Sequence, residues 1–327
     1  MVNYQQPFLW RSVWQIVNSL GTYLVLWFLM YRSLSVSYWL TALLVIPMAG
    51  IFVRLFIIFH DCCHHSFFTS RKANDVLGFL LGFITFTPYR DWQQKHAAHH
   101  ASAADLDRRG QGDVWTLTVK EYLESSFWKK FAYRLMRNPF VLFVIAPLFL
   151  FLIQYRVPSL GADRRARYSV YWTNLAVFLI AAWLSSIFGF RAYLTIQLAV
   201  MLVAGSWGVW LFYVQHQFDG VYWARHDEWD YTKAALQGSS FYKLPKVLQW
   251  FSGNIGFHHI HHLSPRIPNY HLERCHEAHS LLKSVKPLKL LPSLKSLNFR
   301  LWDEQLQKPV GYRHLKTLRK QQSQKSA

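Results

Sequence analysis

"GNIGFHHIHHLSPRIPNY", residues 253 to 270, puts four histidines into five consecutive positions. Imidazole is a mediocre helix former and a poor core filler, so the cluster needs a reason. One is a solvated polar turn. The other is metal, because neutral imidazole is the commonest protein ligand for transition metals. The rest of the chain decides between them.

Hydrophobic residues make up 52% and aromatics 17% of the 327 positions, yet the formal net charge is +19. That combination points to membrane segments flanked by basic loops. Nucleic-acid binding is disfavoured, since Lys and Arg form no stripe interleaved with aromatics. The three cysteines, Cys62, Cys63 and Cys275, do not make a disulfide framework. They suit a reducing compartment. The N-terminal "MVNYQQPFLWR" shows no removable signal peptide.

Apolar windows of about 20 residues predict four spans: Trp14–Tyr31, Val36–Phe59, Tyr168–Phe188 and Ala192–Val214. Two shorter runs, Val76–Thr87 and Phe140–Ile153, fall short of ~30 Å of hydrocarbon and are expected to be interfacial or re-entrant. Basic residues agree with this sorting. With both termini on the cytoplasmic side, 34 of the 36 Lys and Arg residues lie on that side or at its boundary. Arg54 falls inside the second span, about one turn from its cytoplasmic end, and is expected to snorkel. The polar end "RKQQSQKSA" is expected to fray.

Three more histidine groups follow the spans. "HDCCHH" supplies His60, His64 and His65; "HAAHH" supplies His96, His99 and His100; "YVQHQF" supplies His216. The opening stretch adds His258, His261 and His262, with His259 as an extra. Residues three and four apart share a helix face, so each box presents two or three imidazoles together. Solvation requires no such register. At this histidine content an H-x-x-H-H pattern arises about once in 10⁴ starting positions, and it occurs twice here. Lone histidines such as His226, His271 and His314 read as surface or core residues.

All four groups reach one side only if neither short apolar run crosses, so ligand geometry and charge demand the same topology. About nine imidazoles exceed the four ligands of a zinc site, and two adjacent ions fit the number. Soluble di-iron bundles use carboxylates with Glu-x-x-His pairs; the single "ERCH" at Glu273–His276 reads as coincidence.

These boxes, "HDCCH", "HAAHH" and "HHIHH", resemble in order and separation the three histidine boxes of the membrane fatty acid desaturases. "HDCCHHSFF" and "HHLSPRIPNY" look most like the acyl-lipid omega-6 (delta-12) branch. The resemblance implies an all-α integral membrane protein with a cytoplasmic helical cap. It implies one desaturase domain over residues 1–327, with a core at 35–280 and a basic C-terminal tail at 281–327. It also implies a di-iron centre that uses O₂ to place a cis double bond in a membrane-lipid acyl chain. By position the ligands would be His60, His64, His96, His99, His100, His216, His258, His261 and His262. His65 competes with His64, since the family's first box takes either spacing; helical register favours His64.

Asn254 is expected near one metal, and Asp61, Asp91 and Asp105 could orient imidazole N–H groups. Phe83, Phe86, Trp207, Trp210 and Phe212 are candidates for a channel wall, though a lipid-interface belt is the blander reading of each. The sequence carries no His-Pro-Gly-Gly haem motif of the fused cytochrome b5 kind, so electrons are expected from a separate ferredoxin or cytochrome b5-like donor. A hydroxylase or ketolase acting on an alkane, sterol or carotenoid would use similar boxes. A metal transporter would need polar groups within its spans, and apart from Arg54 and Asn174 few are seen.

Overall fold

The structure is a computed structural model, and it describes residues 1–110 and 113–325. Four helices are long and apolar enough to cross a membrane: Leu9–Ser33, Tyr38–Cys63, Arg164–Phe188 and Phe190–His216. At its cap end each runs a few residues beyond its apolar window, while the second begins two residues inside its window. The second and fourth spans end on His60 to Cys63 and on His216, so the helices themselves carry histidines out of the apolar layer.

The first, second and fourth spans share one core, built around Trp27, Met30, Met48, Phe52, Ile196 and Val200. The second span is the most buried; the first and third face outward over most of their length, as lipid-facing helices do. The third leaves Trp172, Phe178, Leu179 and Trp183 exposed.

Neither short apolar run crosses. The first forms the 14-residue helix Arg71–Ile84, capped at its start by Ser70. It leads into the helix Tyr89–Ser102 that bears the second box. The second run follows the helix Phe127–Met136 after a 61° bend, and opens with a π-helical turn over Val141–Ile145. Topology settles its path. His99 Nε2 lies 3.1 Å from His216 Nε2. Had the bent pair crossed, the fourth span would end on the other face and that contact could not form. The pair therefore does not cross, and is interfacial or re-entrant. Cysteines introduced at Ser70, Gln93 and Ser159 should accordingly label from one side of the membrane, and one at Phe190 from the other. Labelling of Ser70 and Gln93 from opposite sides would refute a shared site.

The cap is not purely helical. Leu117–Thr118 pairs in parallel with Leu301–Asp303, which pairs antiparallel with Lys308–Val310; Phe241–Lys243 pairs in parallel with Pro287–Lys289. Residues 287–310 are thus woven into the cap rather than trailing from it. Tyr133 donates to the Arg300 carbonyl, and the buried Trp302 packs near Trp223. These strands are only two or three residues long, too short for an alternation pattern to reveal. The helix Tyr312–Lys325 follows, covering all but the end of the polar segment expected to fray. Cys62, Cys63 and Cys275 are free and buried.

Arg54 does not snorkel. The second span continues to Cys63, which leaves Arg54 more than two turns from its end, only 7% exposed. It donates from Nε to Ser19 Oγ at 3.0 Å and from Nη1 to the Trp250 carbonyl. The packing of the first span and of the cap against the second span supplies acceptors that apolar windows cannot show.

Candidate metal centre

The backbone of the opening stretch is shaped to deliver its histidines. Gly253 and Asn254 both adopt positive φ, +51° and +59°, a conformation that costs little only for residues such as Gly and Asn. A Cβ at Gly256 would sit 2.3 Å from the Tyr242 carbonyl oxygen, so only glycine allows that close approach. The Tyr242 N–H in turn donates to the Gly256 carbonyl at 2.7 Å. The turn feeds the short helix His258–Leu263, whose five residues from His258 to His262 are all buried.

Nine imidazoles converge in two groups. His60, His64, His96, His100 and His261 form the first; His99, His216, His258 and His262 form the second. Within each, one ring nitrogen per residue lies within 4.8 Å of every other. Helical spacing explains the division. In each H-x-x-H-H box the residues four apart go together, His96 with His100 and His258 with His262, while the third histidine, His99 or His261, turns to the other group. The two boxes therefore exchange one member each. The groups abut: the rings of His100 and His262 stack at 4.2 Å.

The arrangement fits cations. Nε2–Nε2 separations of 3.1 Å run from His99 to His216, on to His258, and on to His262. In the first group His261 to His100 is 3.0 Å and His100 to His96 is 3.1 Å. Hydrogen bonds could satisfy such chains only if N–H and lone pair alternated. A central cation satisfies every lone pair at once. Burial, followed by the neighbouring imidazoles, pushes His64, His96, His100, His258, His261 and His262 well below the usual imidazole range. They are neutral at physiological pH, the form in which imidazole binds metal. Nine nitrogen donors suit borderline transition metals and outnumber what one ion takes.

Outer contacts orient some rings. Asp61 Oδ1 lies 3.4 Å from His60 Nδ1, while its Oδ2 accepts from the Asn269 N–H at 2.7 Å and side-chain amide at 2.8 Å. Gln15 donates to Asn269 Oδ1 at 2.9 Å, tying the first span to this chain. His216 Nδ1 is 3.3 Å from the Gly238 carbonyl. Asp113 Oδ1 sits 2.7 Å from His99 Nδ1, both side chains buried, though not along a hydrogen-bonding direction.

Other expectations need correction. Asp91 is spent on the Ser159 N–H and hydroxyl and on Lys95. Asp105 pairs with the lone His226 at 2.7 Å. Asn254 donates to the Asn269 carbonyl and accepts from Gln249, so its amide is used in shaping the turn. His65, at φ +53°, turns away from the cluster toward Asp75 and Gln93. His259, the extra histidine of the third box, packs on Phe241 and His276, and the lone His314, as expected, lies outside the cluster and pairs with Asp303. The missed residues, Asp113, Asn269 and Gln15, carry no local signal; they reach the site through loops and a different helix.

An apolar cavity of about 220 Å³ ends on the cluster. Its inner end touches both groups, through His60 and His96 of the first and His99 and His258 of the second. Phe212 lines it, as expected. Phe83, Phe86, Trp207 and Trp210 do not: the lining face of the fourth span carries Gly205, Gly208, Phe212 and Gln215, and positions 207 and 210 fall outside that arc at 100° per residue. Trp210 packs instead on Phe143 and Tyr213.

The comparisons with known proteins converge. The family described as "Fatty acid desaturase" matches residues 34–287. A Bacillus subtilis (strain 168) protein named "Fatty acid desaturase" is 50% identical over 313 residues, covering 96% of this chain and 89% of its own length. An "sn-1 acyl-lipid omega-3 desaturase (ferredoxin)" of Synechocystis is 28% identical over 73% of this chain and 65% of its own length. An "Omega-6 fatty acid desaturase, chloroplastic" of Glycine max is 25% identical over 68% and 52%. The match extends well beyond the boxes, from the second span into the cap strands, and with it the chain belongs to the fatty acid desaturase family and is an oxidoreductase.

Proposed function

We propose that the chain is a di-iron, O₂-dependent acyl-lipid desaturase of the omega-6 type, drawing electrons from a separate donor. The observation that carries this is the apolar cavity ending against both imidazole groups at once. His60, His64, His96, His100 and His261 would hold one iron; His99, His216, His258 and His262 would hold the other. When bound, the metals supply the activation of O₂ that an unactivated methylene requires. The chain's own residues do the positioning. Phe52, Phe56, Trp92, Phe151 and Phe212 make a dry wall that takes an alkyl chain and excludes water. Gly208, where a side chain would meet nothing within 4 Å, leaves the fourth span bare where the chain would pass.

The basic cap fits the cytoplasmic side, and both termini would lie there. It also favours an acidic donor. The Synechocystis relative's name includes ferredoxin, which makes a ferredoxin the donor to try first.

The test is gas chromatography of fatty acid methyl esters from a host expressing the chain, with oleate and a working donor present. The expected product is a diene, linoleate. Hydroxylated chains without new unsaturation would instead assign a hydroxylase.

A further inference from the structure

A second cavity, of about 440 Å³, lies against a separate face of the second span, under the cap. It holds far more than one water, which takes ~30 Å³ of liquid. Its walls come from the first span, from Arg54, and from the cap residues 246–273. Three cations, Arg11, Arg54 and Lys246, face it with one carboxylate, Glu273. Lys246 already pairs with Glu273. Among the described residues, the two guanidiniums are left without a carboxylate partner.

Arg54 is the telling one. It is 93% buried by its 7% exposure, its carbonyl and hydroxyl partners are neutral, and its guanidinium stacks 4.2 Å over Trp250. Nη2 has no protein partner among the described residues and opens to the cavity. A desolvated cation is costly without an anion, and marks a site whose partner must be named.

We propose that this cavity binds the phosphate of an anionic glycerophospholipid. Arg54 and Arg11 take the phosphate oxygens in the charge-assisted way guanidinium favours. Asn18 offers an amide for a polar headgroup. A lipid is favoured over a soluble phosphate ester because the first span beside the cavity exposes Trp10, Val13, Trp14 and Val17, an apolar strip on which acyl tails can lie. Trp14, Trp250 and Tyr270 in the wall are the aromatics that sit at headgroup level. The bound headgroup would also brace Gln15 and Asn269, the wall residues that lead through Asp61 to His60.

The site is read by binding, independently of turnover. Metal-loaded protein in uncharged detergent is titrated with phosphatidylglycerol, phosphatidylcholine or glycerol 3-phosphate while the thermal unfolding midpoint is followed. Phosphatidylglycerol should raise the midpoint and phosphatidylcholine should not. A rise with glycerol 3-phosphate matching that of the lipid would keep the phosphate site but make its source soluble. Arg54→Gln and Arg11→Gln should each weaken the phosphatidylglycerol response by about tenfold or more in concentration, whereas Lys120→Gln, an exposed cation outside the cavity, should not. If Arg54→Gln does not fold, Arg11→Gln carries the test, since Arg11 is exposed and stacks only near Phe8. Equal responses to the two lipids, or an undiminished response in the variants, would overturn the proposal.

Discussion

His261→Ala is expected to abolish desaturation, a loss of at least about 100-fold given that even outer-shell changes at metal sites cost 10–100-fold. Bound iron should fall with it. The argument rests on where His261 sits. It belongs to the third box by sequence, yet its ring joins the group formed by His60, His64, His96 and His100. Its removal therefore breaks the exchange that links the boxes, and its ring is 4.4 Å from His60 and 4.7 Å from His100. Alanine also leaves a polar void among buried, neutral imidazoles. His96→Ala, His99→Ala, His216→Ala and His258→Ala should behave alike. His226→Ala and His314→Ala should keep activity and iron, because these rings pair with Asp105 and Asp303 instead. Iron analysis beside the lipid assay checks the set. Full activity in His261→Ala would sink the shared site.

Gly208→Phe is expected to stop turnover while leaving iron bound. A Cβ at Gly208 meets nothing within 4 Å, so the larger side chain has room to enter the apolar cavity rather than deform the helix. There it would occupy the path of the alkyl chain ahead of the imidazoles. Displacing a reacting chain by about 1 Å can cost 10²-fold in rate, and a blocked path costs more. Gly205→Phe is a different case: a Cβ there already lies 2.9 Å from Pro147 Cβ, so that substitution should lower stability as well. Measuring iron, unfolding midpoint and diene yield for both separates blockage from misfolding. Unchanged diene yield in Gly208→Phe would show that the acyl chain takes another route.

Apolar run length was enough to name the four spans, and histidine spacing together with the resemblance to the desaturase boxes picked out the nine imidazoles that converge. Both signals are local and periodic: a helix forces positions three and four apart onto one face, and hydrocarbon thickness forces a minimum run. His64 over His65 follows from the same register, carried through the end of the second span. That Val76–Thr87 and Phe140–Ile153 do not cross, and are interfacial or re-entrant, is also legible, from length and from the need for one-sided boxes.

Tertiary structure alone decided the rest. Helical periodicity places His96, His99 and His100 on one broad face, but only the packing of the second box against the third sends His99 to one group and His261 to the other. Asn269 reaches Asp61 across 208 positions, and Gln15 reaches Asn269 across 254. No window of sequence holds both partners of such a pair. Arg54 shows the same divide. By itself the chain marks an arginine in an apolar run; the fold of the cap, bringing Trp250 over it, determines that the charge is held inside rather than carried to the surface. Spacing along the chain determines which side chains share a face, while long-range packing determines what that face meets.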